Sequence, residues 1–586
     1  MEANMKINTT SIKKLFSVSL IAAFFMTGFS CCSNGSNTPA ANPTPENPTI
    51  SKTLDDYPEI TIPDSGVEDF NPTVSSVEMA KNMIIGWNLG NTLDADGDWT
   101  DNDGVFHSDL KGVETETGWG MPLTTEAMIT AVKAAGFKTI RIPVSWHNHI
   151  EDETNFKIDS EWMARVKEVV DWAYNKDMYV IINIHHDNLT EANLSGNCGF
   201  ALSKNTGIQA QSEAYIRNVW TQIAIEFASY GERLIFEVLN EPRDVGGKVF
   251  GNEWNYSGKD ALDIITAYEQ VGINAIRAVK GNKNRFIMVP GYAASGTNAT
   301  MLDNYTLPTD SSASDKLILS THAYSPYNFA MANSDSTFGS DDQGSLDSIF
   351  AYLKTNYTDK GIGVVMGEAS ASNKDNTTER VKWANYYFAK AKDAGIPVVL
   401  WDNDVADPDG HEGANKNEFN GEHHGWLNRQ SRKWYFPSII KAMMDTVGVT
   451  GYSIPEYVAP TASSIGWNES NAVTVSNEQK TIDWNSEYKP SASYFANAKE
   501  GSILKVSFTA SGATLRLTSA DWKTDYNTGD MLNGQASGTN ITVTASEFYY
   551  ILTASDAADW KAKGLTISGA NGTITSIKFL ANPSVN

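Results

Sequence analysis

The sequence predicts an α/β fold, a (β/α)8 TIM barrel followed by a C-terminal all-β sandwich. Eight short apolar runs recur between residues 84 and 400, with amphipathic stretches of helical period between them. Apolar on both faces, such runs suit parallel strands covered on both sides. From about Thr461 the pattern changes to closely spaced alternating runs, as in an antiparallel sandwich. The 586 residues are 41% hydrophobic, enough for two cores.

The chain opens on an address. Lys6, Lys13 and Lys14 precede an apolar stretch, Leu15 to Phe29, which is short for a membrane span of about 20 residues and suits a secretory signal. Ser30-Cys31-Cys32 follows and resembles a bacterial lipoprotein lipobox, so residues 1–32 are expected to be a lipoprotein-type signal with an anchor at Cys31 or Cys32. The expected location is therefore secreted, at a bacterial outer membrane or cell surface, or otherwise periplasmic or extracellular. Residues 33–66, rich in Pro, Asn and Thr at their start, read as a linker.

The barrel is expected over 67–450. Its strands are the runs 84–89, 137–142, 178–184, 234–239, 286–289, 317–320, 362–366 and 397–400. Helices are read at 124–136, with a Thr cap and Gly136 as stop, at 161–176, 213–230, 260–280 and 379–395, and last at 435–445. A connector at 446–460 leads to the sandwich, 458–586. Cys198 is the only cysteine past residue 32, so the body has no disulfide framework.

Barrel sites lie at the C-terminal strand ends. Polar and aromatic residues gather there: Asn91, Arg141, His185, His186, Asn240, Glu241, His322, Tyr324, Glu368 and Trp401, with Trp426 beyond the last strand. Glu241 and Glu368 end strands four and seven, across the barrel from one another. A pair of carboxyls, one protonated and one ionised, is what glycosidic bond cleavage requires. Arg141 beside Glu368 would keep it ionised, and the charge on Glu368 would raise the pKa of Glu241. His185 and His186 suggest a metal, but neighbours along a strand point to opposite faces; no metal and no cofactor is expected. Trp119, Trp146, Trp254, Tyr327 and Phe329 are candidate sugar platforms, and Asp402 and Asp404 read as loop acids.

The motifs RIPVSW (141–146), NIHHD (183–187), LIFEVLNEPR (234–243), HAYSPYNF (322–329), GE (367–368) and LWDN (400–403), in barrel order, resemble glycoside hydrolase family 5 over about residues 75–447. GWNLGNTLDA (86–95) with the double histidine is similar to its subfamily 4, a group of endo-β-1,4-glucanases and xyloglucanases. The resemblance implies a retaining double displacement on a β-1,4-linked polysaccharide, with Glu241 as acid/base and Glu368 as nucleophile. It also implies that Arg141, His185, Asn240, His322, Tyr324 and Trp401 surround the cleaved sugar. Xyloglucan or β-mannan specificity and a non-catalytic glycan-binding barrel are the alternatives. The net charge of −25 argues against nucleic acid. A monomer is expected, touching a membrane only through its lipid anchor, with a sandwich that resembles a carbohydrate-binding module.

Overall fold

The computed structural model describes residues 52–583, apart from 101–105, 109–110, 256–257, 314, 332–334, 407–421, 459–460, 486, 528 and 538. The signal-like start, with Cys31 and Cys32, lies outside the described residues, as does the linker up to residue 51.

Eight parallel strands close a barrel: β1 (Ile85–Asn88), β2 (Thr139–Ile142), β3 (Tyr179–Asn183), β4 (Leu234–Glu237), β5 (Ile287–Ser295), β6 (Leu317–His322), β7 (Gly363–Ala369) and β8 (Val398–Leu400). Closure is direct, since β1 pairs with both β2 and β8. Each strand leads to a helix of the outer ring: α1 (Glu126–Ala134), α2 (Ser160–Tyr174), α3 (Thr206–Glu226), α4 (Lys259–Ala278), α5 (Ala299–Asn304), α6 (Ser340–Asn356), α7 (Thr377–Ala394) and α8 (Pro437–Val447), with short extra turns of helix at Glu191–Leu194 and Tyr327–Ala330. Thr125 caps α1 through Met128 N, and Asp159 caps α2 through Glu161 N and Trp162 N.

A short helix, Ser76–Met83, precedes β1. Its Met79, Ala80 and Met83 pack with Ile181, Ile235, Met288, Ile318, Val365 and Val399, so it plugs the barrel end away from the site. The linker expected up to residue 66 needs correction in its last part. From Tyr57 the chain is strapped to the barrel: Tyr57 stacks on Phe156, and Arg217 and Asn218 donate to the carbonyls of Tyr57 and Pro58. The aromatic ring and the free carbonyls make this stretch a docking strip, whatever its proline content.

Helix α3 begins seven residues before the expected start at 213. It is buried nearly all round, which erases the amphipathic period that marks a helix start.

The C-terminal region is a sandwich of two antiparallel sheets. Its strands are β9 (Val473–Ser476), β10 (Lys480–Ile482), β11 (Ile503–Phe508), β12 (Thr514–Ser519), β13 (Met531–Leu532), β14 (Gly534–Ser537), β15 (Asn540–Val543), β16 (Glu547–Ile551), β17 (Leu565–Ala570) and β18 (Gly572–Leu580). One sheet runs β9-β18-β11-β16-β13, with β10 also on β18; the other runs β14-β15-β12-β17. Their inner faces share one core, including Leu504, Val506, Phe548 and Ile577 from the first and Leu515, Leu517, Ile541 and Ile567 from the second. The run 540–553 breaks into two strands, and a helix not anticipated, Ala554–Lys563, brings Trp560 into that core.

Candidate active site

The barrel interior above the plug is polar. Arg141 on β2 is wholly buried, and each of its nitrogens has a task. Nε donates to Glu237 Oε2 at 2.7 Å, Nη1 to Asn88 Oδ1 at 3.0 Å and Glu368 Oε1 at 2.8 Å, and Nη2 to Asn240 Oδ1 at 2.7 Å. Glu237 also accepts from Asn183 Nδ2 at 2.9 Å and Ser320 Oγ at 2.6 Å. Burial alone would weaken the charge on Arg141, but Glu237 and Glu368 raise its pKa further beyond the usual range.

Glu368, on β7, has its second oxygen fixed by Tyr324, whose hydroxyl donates to Oε2 at 2.8 Å. Both oxygens are thus oriented by side chains from other strands. The glycine before it sits in close quarters. A Cβ at Gly367 would stand 3.1 Å from His322 Nε2 and 3.2 Å from Ser320 Oγ. Gly90 is constrained in the same way, since a Cβ there would meet the Trp401 ring at 2.7 Å.

Glu241 pairs with His322, whose Nδ1 is 2.7 Å from Glu241 Oε1 and 3.7 Å from Glu368 Oε2. One oxygen of each glutamate and a His322 nitrogen all lie within 4.8 Å of one another. Burial opposes charge on both members of the Glu241–His322 pair. It is outweighed on His322 by Glu368 and by Glu241, which raise its pKa, and on Glu241 by His322, Arg243 and Arg141, which lower its pKa. This corrects the expectation that Glu368 raises the pKa of Glu241: the nearer imidazolium dominates, and the pair holds one proton on its histidine side.

His185 and His186 both turn toward Asp94, at 4.0 and 3.9 Å, with their rings 4.4 Å apart. Opposite faces were expected, but β3 ends at Asn183, and strand alternation ends with it. Asp94 already accepts from the backbone N–H groups of Asn91 and Thr92, and burial raises its pKa to about 6. His185 is stacked parallel to Trp401, centroids 6.0 Å apart, and Trp119 leans on His186 at 5.4 Å. Asn91 takes a left-handed backbone, φ 57°, on the loop that carries this wall.

Three aromatic expectations fail for one reason, burial. Trp426 is completely covered and donates to the Trp401 carbonyl at 2.9 Å, so it stands behind the cleft wall and not in the cleft. Trp146, covered as fully, donates to the Asn183 carbonyl, and Phe329 is in the core. Tyr327 is half exposed, and Trp254 lies on Arg243, 4.2 Å from the guanidinium carbon to the ring centroid. Asp402 is a buried loop acid, accepting from Trp87 Nε1 and Leu427 N. Burial pushes the Cys198 thiol up to about 12, which removes it as a nucleophile.

Asn88, Asn183, Glu237 and Ser320 were not singled out from the sequence. Asn88, Asn183 and Glu237 are lone polar residues in apolar runs, an interruption that was the available signal, whereas Ser320 opens the polar end of its strand beside Thr321 and His322. Glu422 was also missed. Burial first, then Glu241 and Glu368, raise its pKa to about 7, which marks it as a third carboxyl beside the pair.

Residues 93–407 match the family model for cellulase, glycosyl hydrolase family 5. The chain belongs to that family. Endoglucanase A of Clostridium longisporum is 41% identical over 377 residues, 63% of this chain and 65% of that enzyme. Endoglucanase B of Clostridium cellulovorans is 38% identical over 66% of this chain and 78% of its own length. Among solved structures, the GH5-4 broad-specificity endoglucanase of Ruminococcus flavefaciens superposes with a TM-score of 0.56 at 40% identity, covering 65% of this chain and all of that one. That of Ruminococcus champanellensis with bound cellotriose gives 0.54 at 38% identity. The family model ends at residue 407, before the C-terminal sandwich begins.

Proposed function

We propose that this family 5 barrel is a retaining endo-β-1,4-glucanase that cleaves internal bonds of β-1,4-linked glucans by double displacement. The observation that carries this reading is the approach of one carboxylate oxygen of Glu241 to one of Glu368 within 4.8 Å, with His322 Nδ1 reaching both groups. Retaining pairs stand about 5–5.5 Å apart, and inverting pairs leave room for a water at about 6.5–9.5 Å.

In the first step Glu368 attacks the anomeric carbon, its oxygens aimed by Arg141 and Tyr324. The Glu241–His322 pair gives its proton to the departing glycosidic oxygen. In the second, Glu241 takes a proton from water, and that water displaces Glu368 from the sugar. The Asn240 Oδ1 is occupied by Arg141, so its amide N–H groups are left for the sugar 2-OH, a bond that strengthens in the transition state. Trp401, parallel to His185, offers its face to the sugar's axial hydrogens.

The substrate range follows the similar enzymes described as broad-specificity endoglucanases. The lipobox-like start supports export and anchoring through Cys31 or Cys32. The half-exposed Trp484 and Trp522 support a glycan-binding role for the sandwich. The deciding experiment is product analysis on carboxymethylcellulose, mixed-linkage glucan, xyloglucan and mannan, alongside Glu368→Gln. Products of retained configuration, lost in a folded Glu368→Gln variant, are expected; inversion at the anomeric carbon would overturn the mechanism.

A further inference from the structure

Among the described residues, four arginines are fully buried: Arg141, Arg285, Arg380 and Arg429. Three have partners. Arg141 is bound as described. Arg285 donates to Asn282 Oδ1 and to the carbonyls of Phe227, Tyr230, Gly231 and Leu234. Arg429 donates to Thr92 Oγ1 and to the Asp402 carbonyl.

Arg380 differs. Its guanidinium carbon lies 4.3 Å from the ring centroids of both Trp426 and Phe436. Among the described residues, nothing accepts a hydrogen bond from Nε, Nη1 or Nη2. Burial lowers its pKa to about 9, and among the described residues no carboxylate counters that. Ring faces attract the charge, but two faces leave five in-plane N–H donors without acceptors. A buried, charged donor group left so is strongly disfavoured.

The surroundings are cationic too. Lys374 has its pKa lowered to about 8, by burial first and, against the pull of Asp335, by Arg380. His424 is pushed well down by burial, then by Arg380, His423 and Lys374. Arg380 also stands in the first turn of α7, the positive end of the helix dipole. In a chain with a net charge of −25, this buried positive cluster is an exception.

We propose that Arg380, clasped between Trp426 and Phe436, is a binding site for a small inorganic monoanion of the halide class. Full burial of Arg380 and Trp426 excludes a bulky organic anion, and one guanidinium charge matches one negative charge. Phe436 is only half-buried, which puts the approach on its side. The site adjoins the catalytic wall at two points. Trp426 donates to the Trp401 carbonyl, and the His424 ring lies 5.5 Å from that of Tyr324, which holds Glu368. A bound halide therefore steadies the wall as well as the fold.

The test uses the full chain in sodium gluconate, with chloride or bromide exchanged in at constant ionic strength. The expected result is a saturable rise in Tm of about 2–5 °C with either halide, absent in Arg380→Met. Crystals grown in bromide should show an anomalous peak within hydrogen-bond distance of the guanidinium. Equal Tm in gluconate and halide would overturn the proposal, and so would a protein acceptor seated against Arg380 with bromide found only elsewhere. Should Arg380→Met fail to fold, the wild-type titration and the bromide map decide between these outcomes.

Discussion

Glu241 and His322 act as one titrating unit. His322 is raised above its ordinary 6.5, so its contribution to stability is complete below 6.5 and is lost as pH rises through the raised value. Glu241 is lowered below its ordinary 4.5, so its contribution is present above 4.5 and is lost as pH falls through the lowered value. The Tm difference between wild type and His322→Asn should therefore be largest between pH 4.5 and 6.5 and shrink on both sides. The alkaline limb of kcat/KM should lie above 6.5, where the pair loses the proton it donates. A second expectation separates Glu241 from its neighbours. Glu241→Gln should lower kcat on cello-oligosaccharides by roughly 10²–10⁴-fold, the usual worth of a general acid. On aryl glycosides with a good leaving group the first step needs no proton, so the loss should move to the second step. Rescue of that step by azide, giving a β-glycosyl azide, would identify the residue; no rescue would reassign it.

At the scale of the element, the catalytic groups and the plug helix occupy opposite barrel ends. Met83, in the short helix before β1, is completely buried in the plug. Met83→Ala should cost about 2–5 kcal/mol in urea unfolding, the range for large-to-small core changes, with KM unchanged because the cleft is at the other rim. The eight strands and most helix positions were legible because a strand covered on both faces is a bare apolar run, and a half-covered helix shows its period. The start of α3 was not legible, because a helix buried on all sides has no period to show. Pairing of Glu241 with Glu368 could be read from strand order alone. The inner layer of Glu237, Asn183 and Ser320 could not, since its meaning lies in contacts between strands far apart in sequence. Trp426 and Trp146 misled for the opposite reason: an aromatic near a rim motif looks the same in sequence whether it faces sugar or supports the wall.

For the molecule as a whole, the barrel and the sandwich draw on separate hydrophobic cores. Deleting residues 458–586 should leave kcat on cellotetraose within about twofold of the full chain, since every catalytic group lies before that cut. Activity on dilute polymer should fall more, because a second glycan contact acts by raising effective concentration and a short oligosaccharide cannot span both sites. Equal losses on both substrates would make the sandwich a brace for the barrel. The half-exposed Trp484 and Trp522 are the first positions to change in the isolated domain, with retention on glucan gels as the measure.

The Arg141 network also bears on durability. Through Asn88, Glu237, Asn183, Ser320 and Glu368 it stitches together β1, β2, β3, β4, β6 and β7, so the bonds that aim the nucleophile are also bonds that hold the strands in register. A cleft built on loose loops can fail on warming while its scaffold persists. The setting of Glu368 rests on strands instead: activity remaining after brief heating and the near-ultraviolet signature of tertiary packing should fall along the same curve. Lasting heat tolerance of the nucleophile's setting is then to be sought in the barrel strands that carry the network.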